Sequence, residues 1–446
     1  MKFDTKTSYL RKMTINLRFP STFQIAIFLS LLVFLLAIVM TKPSHANIAV
    51  YSFEVLHFWK DGFWELLEFT MQMVLILVFG HTLAMSKPVN GFLDKITGSI
   101  TSNTYAVLVT ASLSMLAGYL NWGFGLIIGA ILARKIGEEA SKGRMQINYP
   151  LVAASGYLGM AVWHGGLSGS ATLKAAEPSH FLLDQIGVIT VDRTIFSGFN
   201  LGINTILFVT FLLVLYFLSK RGFAKQLYPQ PTQREESKLE NNKDKLGYVI
   251  GGLIVFLGLS EFWNISDQGW GFLDLNFVNF VLLGLGLLAF GSLDQYVSHL
   301  SKAVKGATDI LIQFPFYAGI LGIMKYSGLL VMLADDMVSR SGPDTFPLLT
   351  FFSAAIINFF VPSGGGQWAV QGPVVMEAAV QMGIDVPKMI LVFAYGDQVS
   401  NLLQPFWALP LLSITGLPAK EILRYTGLLF LVASLIFAVF IWFAVS

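Results

Sequence analysis

Long apolar runs alternate along this chain with short polar breaks that hold most of its lysine and arginine. A helix needs roughly 20 apolar residues to cross a bilayer. Nine runs meet that length approximately: 22–41, 63–85, 150–170, 195–219, 246–262, 274–292, 310–333, 388–412 and 425–446. Two further apolar stretches, Tyr105 to Ala133 and Phe346 to Met382, are interrupted in the middle, one at Asn121 to Gly125 and the other between Phe359 and Pro373. Each is too broken for one span and too short for two, which predicts re-entrant hairpins that enter the membrane and return on the same side. The pattern therefore predicts an all-α membrane protein of about nine transmembrane helices plus two re-entrant hairpins.

Composition agrees with the pattern. With 446 residues, 54% of them hydrophobic and 13% charged, the chain holds more apolar surface than a soluble domain can hide. Cysteine is absent, which rules out disulfides, thiolate metal sites and cysteine nucleophiles. The net charge of +2 says less than its placement. With the N-terminus inside and neither hairpin crossing, the inside segments hold 22 of the 29 lysines and arginines and the outside loops hold 6. The remaining one is Lys325, within a predicted span. This split places the N-terminus in the cytoplasm and the C-terminus outside. The basic leader and the small residues after Met40 also fit a cleaved signal peptide. A repeat within the chain favours retention of that first helix.

Adding 237 to a position in the first half maps Asn121 onto Asn358, Pro150 onto Pro387, Gly159 onto Gly396 and His164 onto Asn401. By the loop charges the first hairpin, 105–133, enters from the cytoplasm and the second, 346–382, from outside. The expected organisation is a basic N-terminus (1–21), a first inverted repeat (22–219), a cytoplasmic linker (220–245), a connecting helix (246–262) and a second inverted repeat (263–446). Inverted repeats with paired hairpins mark a secondary transporter.

Within the second hairpin, glycines are expected to supply the backbone angles for reversal, and Pro362 and Pro373 to end and restart helices. A helix start in a low-dielectric site offers free N–H groups and a positive dipole end to an anion. The candidate substrate-binding residues are Ser363, Gly364, Gly365, Gly366, Gln367 and Trp368, with Asn121 and Trp122 from the first tip and His164 from the span after it. Such a site suits one carboxylate on a short apolar tail. The plainer reading, glycines that let helices pack closely, leaves Ser363, Gln367, Trp368, Gln371 and two prolines unexplained.

Each hairpin is followed by a span with a polar interruption, Trp163 to Ser170 and Gly396 to Gln404. Ionisable groups inside a membrane are costly unless they face a cavity or a partner. Asp397 is therefore the candidate ion-coupling group, with Asn401 and Ser168 beside it; the coupling ion would be H+ or Na+, and no other cofactor is expected. Lys325 could neutralise a carboxylate or snorkel to an interface. Glu65, Glu68 and His81 share one span, the two glutamates near its outer end, and are left out of the site.

The string Val361 to Pro373, VPSGGGQWAVQGP, resembles the signature of the bacterial short-chain fatty acid transporter family, and the similarity runs from about Phe23 to the end. The resemblance implies uptake of acetoacetate, butyrate and similar monocarboxylates across the inner membrane. It also implies kinship with the ion transporter superfamily, whose paired hairpins move by an elevator motion. Sodium-coupled relatives carry Ser-Asn-Thr at hairpin tips; here Ser102-Asn103-Thr104 precedes the first hairpin. The expected partners are the fatty acid substrate and the lipid bilayer, with no nucleic acid and with a homodimer as the expected assembly. Two rivals remain: a rhomboid-like protease, from Gly166-Leu167-Ser168-Gly169 with His81 or His299 as its base, and a passive monocarboxylate channel. No Gly-Lys-Ser/Thr follows the glycines, so a P-loop is excluded.

Overall fold

The computed structural model describes residues 22–143, 145–221, 228–229, 244–265, 269–359, 361 and 363–445. The N-terminal 1–21, most of the 220–245 linker and Pro362 lie outside the described residues. Among the described residues the secondary structure is helical, with no strand. In chain order the helices are α1 (Thr22–Thr41), α2 (Ile48–Gly62), α3 (Leu67–Ala84), α4 (Lys87–Ser99), α5 (Asn103–Leu120), α6 (Trp122–Ser141), α7 (Tyr149–Gly156), α8 (Ser170–Ala175), α9 (Leu183–Ile186) and α10 (Gly198–Ser219). They continue as α11 (Leu246–Ser260), α12 (Leu275–Phe290), α13 (Leu293–Val304), α14 (Thr308–Tyr326), α15 (Leu329–Arg340), α16 (Phe346–Asn358), α17 (Gly364–Gln381), α18 (Val386–Ser400), α19 (Pro405–Thr415) and α20 (Ala419–Ala444).

Four helical runs, α3, α10, Leu246–Trp263 and α20, are long and apolar enough to cross a bilayer unaided. Runs 22–41 and 274–292 also correspond to single helices, α1 and α12, and the other three are broken. The run 150–170 is α7, a short 3-10 turn (Leu158–Ala161), an irregular stretch and the start of α8; 388–412 is most of α18, a second 3-10 turn (Asn401–Leu403) and most of α19. The run 310–333 stops where Gly328 takes φ +78, the left-handed cap that ends many helices. Helices α2, α4, α13 and α15 were not foreseen, because each mixes charges such as Lys60, Asp94, Lys302 and Asp336 into its apolar positions and has no span-like run.

Each interrupted stretch folds as two helices joined at a short corner, α5 with α6 and α16 with α17. In the first, Asn121 alone makes the corner between α5 and α6: its backbone N–H donates to the Ala117 carbonyl, and its side chain accepts from the Phe124 N–H at 2.8 Å. The two arms touch backbone to backbone, since a Cβ on Gly125 would lie 2.4 Å from the Gly118 Cα. In the second, α16 ends at Asn358 and α17 begins at Gly364.

The first arm of each hairpin packs on the helix that follows the hairpin. A Cβ on Gly159 would meet the Ser114 carbonyl at 2.6 Å, and one on Gly396 would meet the Phe351 carbonyl at 2.2 Å. Both pairs are related by the offset of 237, and Pro150 and Pro387 each open their helix at its second residue.

Candidate substrate and coupling site

The two hairpin tips meet. Trp122, the first residue of α6, lines one small closed cavity with Ser363 and Gly364 at the start of α17. Met73, Met160, Trp163, Ile310, Phe314 and Trp407 complete the wall. The void measures about 10 Å³, room for a single water molecule. The Trp122 ring sits 6.1 Å from that of Trp163 and 5.2 Å from that of Trp407. The indole N–H groups of Trp122 and Trp163 are buried and have no acceptor. An otherwise apolar pocket thus holds two unpaired donors beside a helix N-terminus.

The glycines act differently from the expectation. Gly364, Gly365 and Gly366 lie in the first turn of α17, and none has positive φ. They are required by close approach. A Cβ on Gly364 would lie 2.5 Å from the Trp163 ring and 3.1 Å from His164 Cε1; on Gly365, 3.0 Å from Phe69 and 3.1 Å from Phe314; on Gly366, 2.6 Å from Tyr317. Ser363 caps the helix by accepting from the Gly366 N–H at 3.2 Å.

Several predicted residues are turned to other tasks. Gln367 donates to the Ala354 carbonyl and to Gln371, and Gln371 donates to Ser353 at 3.0 Å, so both glutamines tie α17 to α16. Trp368 is fully buried against Phe393, with ring centroids 5.1 Å apart. Asn121 donates to the Ile76 carbonyl of α3 at 3.0 Å. Ser168 accepts the Trp122 backbone N–H at 2.9 Å, and Asn401 accepts from Asn358 at 2.8 Å. No hydrogen bond joins Asp397 to the side chain of either, so the expected coupling trio is dispersed. The same Asn358 amide also donates to the Asp397 carbonyl, which holds the end of α16 against the break after α18.

Asp397 pairs instead with His164. Its Oδ2 lies 2.6 Å from His164 Nδ1, with the side chains 1% and 0% exposed. His164 Nε2 accepts the Ala171 backbone N–H at 3.2 Å, which leaves the ring proton on Nδ1, donating to Asp397. The histidine backbone N–H donates to Gln398 Oε1 at 3.0 Å, and its ring stacks on Trp163 with centroids 4.4 Å apart. The pair therefore adjoins the tip pocket through Trp163 and Gly364. Asp397 Oδ1 is buried with no partner.

A larger, open-mouthed cavity of about 540 Å³ lies on the other side of Phe69. Lys174 and Lys325 line it, together with Glu65, Glu68 and Glu377. Lys174, assigned by charge to an outside loop, is buried in α8, 2.5 Å from Glu177, with Gln72 donating to that carboxylate at 2.9 Å. Lys325, assigned to a span, is exposed at the end of α14, its ammonium 5.5 Å from the centre of the Tyr326 ring. Glu65 and Glu68, left out of the sequence-derived site, belong to this vestibule. Trp163, Trp407, Phe314 and Met160 were also missed, since an apolar wall leaves no chemical mark; two tryptophans flanking the polar breaks were the signal to follow. Among the described residues the rhomboid arrangement is absent: Ser168 accepts from the Trp122 N–H, and His299 Nδ1 bonds the Gln295 carbonyl in its own helix.

Comparisons with known proteins agree with this picture. The family profile described as short chain fatty acid transporter matches residues 6–444. A protein of Escherichia coli (strain K12) assigned by name to short-chain fatty acid transport is 37% identical over 433 residues, covering 92% of this chain and 93% of its own. A Haemophilus influenzae protein with the same name is 37% identical over 401 residues, covering 84% and 88%. Among solved structures, the Alcanivorax borkumensis YdaH transporter superposes with a TM-score of 0.58 at 16% identity over 95% of this chain and 99% of its own. Neisseria gonorrhoeae MtrF, from a class of antimetabolite efflux pumps, gives 0.60 at 16% over 96% of each. These two establish a shared fold, and the sequence matches, which run nearly end to end, establish that the chain belongs to the short-chain fatty acid transporter family.

Proposed function

We infer that membership of that family makes this chain a multi-pass membrane transporter and not an enzyme. We propose that it takes up short-chain fatty acids such as butyrate and acetoacetate across a bacterial inner membrane, coupled to an ion, as a secondary active carrier. The observation that carries this reading is the tryptophan pocket between the two hairpin tips. Opened beyond its present single-water volume, its apolar wall would suit a short alkyl tail, and the two unpaired indole donors of that wall with the opening turn of α17 would suit one carboxylate.

Alternating access by an elevator motion of two inverted repeats is the form we propose, with the N-terminus inside and the C-terminus outside. Support comes from the equivalent contacts of Gly159 on Ser114 and Gly396 on Phe351, 237 residues apart. The 540 Å³ cavity lies on the side that loop charges assign to the exterior. Ser102-Asn103-Thr104 sits at the foot of the first hairpin, where Asn103 donates to the Ser219 carbonyl at 2.7 Å, far along the chain from the tip where sodium-coupled relatives carry that motif.

The test is uptake of labelled butyrate and acetoacetate into proteoliposomes, with proton and sodium gradients imposed separately. Accumulation above the equilibrium level under one gradient is the expected result. Entry that only equilibrates under either gradient would mean a passive channel.

A further inference from the structure

We propose that His164 and Asp397 form a single proton-binding unit, with Asp397 Oδ1 taking the coupled proton and His164 acting as the residue that positions it. The proposal rests on the carrier reading above and commits its coupling ion to H+.

The argument begins with the tautomer. Because Ala171 N–H occupies His164 Nε2, the imidazole is neutral and its one proton points at Asp397 Oδ2. A doubly protonated ring would set two donors against each other at Nε2. Asp397 Oδ1 is buried without a partner, while Oδ2 is held by His164. Protonation at Oδ1 converts –COO⁻ and H⁺ to –COOH and makes the pair neutral. The histidine reserves Oδ2, so the proton has one place to go. A substrate carboxylate in the adjoining pocket would bring one negative charge, and the proton taken on Oδ1 offsets it, so that substrate and proton together move no net charge.

The surrounding elements leave this charge uncontested. Against α18, helix α16 contributes no titratable side chain; α17 contributes Glu377, bonded by Gln185; α8 contributes Lys174, paired with Glu177. Tyr157 donates to the Asn401 carbonyl, Tyr395 to Asn200, and Lys388 to the Ala444 carbonyl. Helix α20 contributes Lys420, Glu421, Arg424 and Tyr425 in its first two turns, with Arg424 3.6 Å from Glu421. None of these makes an ion pair or hydrogen bond with the His164 ring or the Asp397 carboxylate.

The experiment uses the full chain in proteoliposomes, with counterflow and gradient-driven accumulation of labelled butyrate read in the same preparation. It adds infrared difference spectra of the substrate-free protein on a pH step. Wild type accumulates butyrate under an inward proton gradient and shows a protonated-carboxyl band. Asp397→Asn loses accumulation, loses that band, and keeps counterflow at a reduced, pH-independent rate. His164→Ala loses accumulation and shifts the band, whereas His164→Asn, whose amide N–H can reach Oδ2, restores part of the accumulation. Should Asp397→Asn show no counterflow at all, the infrared band decides: its loss supports the unit and its persistence overturns it. Accumulation driven by sodium alone, or by a proton gradient in Asp397→Asn, also overturns it. If wild type neither takes up nor exchanges fatty acids, the carrier reading fails, while the infrared titration still reports on the pair.

Discussion

The two hairpins have the same role in the chain order and opposite construction. In the first, glycine serves the arms: Gly118 and Gly125 bring α5 and α6 into backbone contact, and one asparagine turns the corner. In the second, glycine serves the tip: Gly364, Gly365 and Gly366 admit the rings of Trp163, Phe69, Phe314 and Tyr317, and the arms are held by glutamine hydrogen bonds. One hairpin is welded to itself, and the other is fitted to its surroundings. A glycine-rich string is therefore read by what each missing Cβ would strike.

The sharpest way to break the comparison is to add bulk to each glycine set. Gly125→Leu drives a side chain into the backbone of α5, which cannot move aside, so a loss of more than about 3 kcal/mol and failure to recover monodisperse protein are expected. Gly364→Val strikes the rings of Trp163 and His164 instead. That variant should purify with a detergent melting temperature near wild type while uptake is lost; retained uptake would detach the tip from function. Gln367→Leu removes the bond to Ala354 between the second hairpin's arms and the bond to Gln371 within α17, and should cost about 1–2 kcal/mol in thermal unfolding. The smallest effect is expected from Ser363→Ala, which deletes the cap on Gly366, at about 1 kcal/mol.

Much of this was legible in the chain. Apolar run length located α1, α3, α10, α11, α12 and α20, and the interruptions at Asn121 and Ser363 marked both corners, because backbone reversal in lipid demands residues that a plain span excludes. Amphipathic α2, α4, α13 and α15 were not legible, since their charges hide them from any search for apolar length. At the site, Asp397 and His164 stood out as ionisable groups in apolar runs, but their pairing joins positions 233 apart, a contact set by packing between the two halves. Trp122, Ser363 and Gly364 do meet. Gln367, Trp368 and Asn121 were drawn into the predicted site by proximity in sequence, although successive residues on a helix face different neighbours.

Phe69 stands between the open 540 Å³ cavity and the opening turn of α17 at Gly365. In the proposed orientation, water filling that cavity would bring the exterior potential to within one aromatic ring of the glycine turn. The membrane voltage then drops across a thin layer beyond Phe69 instead of across the whole bilayer, so a bare anion crossing that layer would meet nearly the full electrical work, roughly 2.3 kcal/mol per 100 mV. Under the proposed proton coupling the anion moves with a proton and no such work is done, so the transport current through this protein is expected to vanish even while substrate flows.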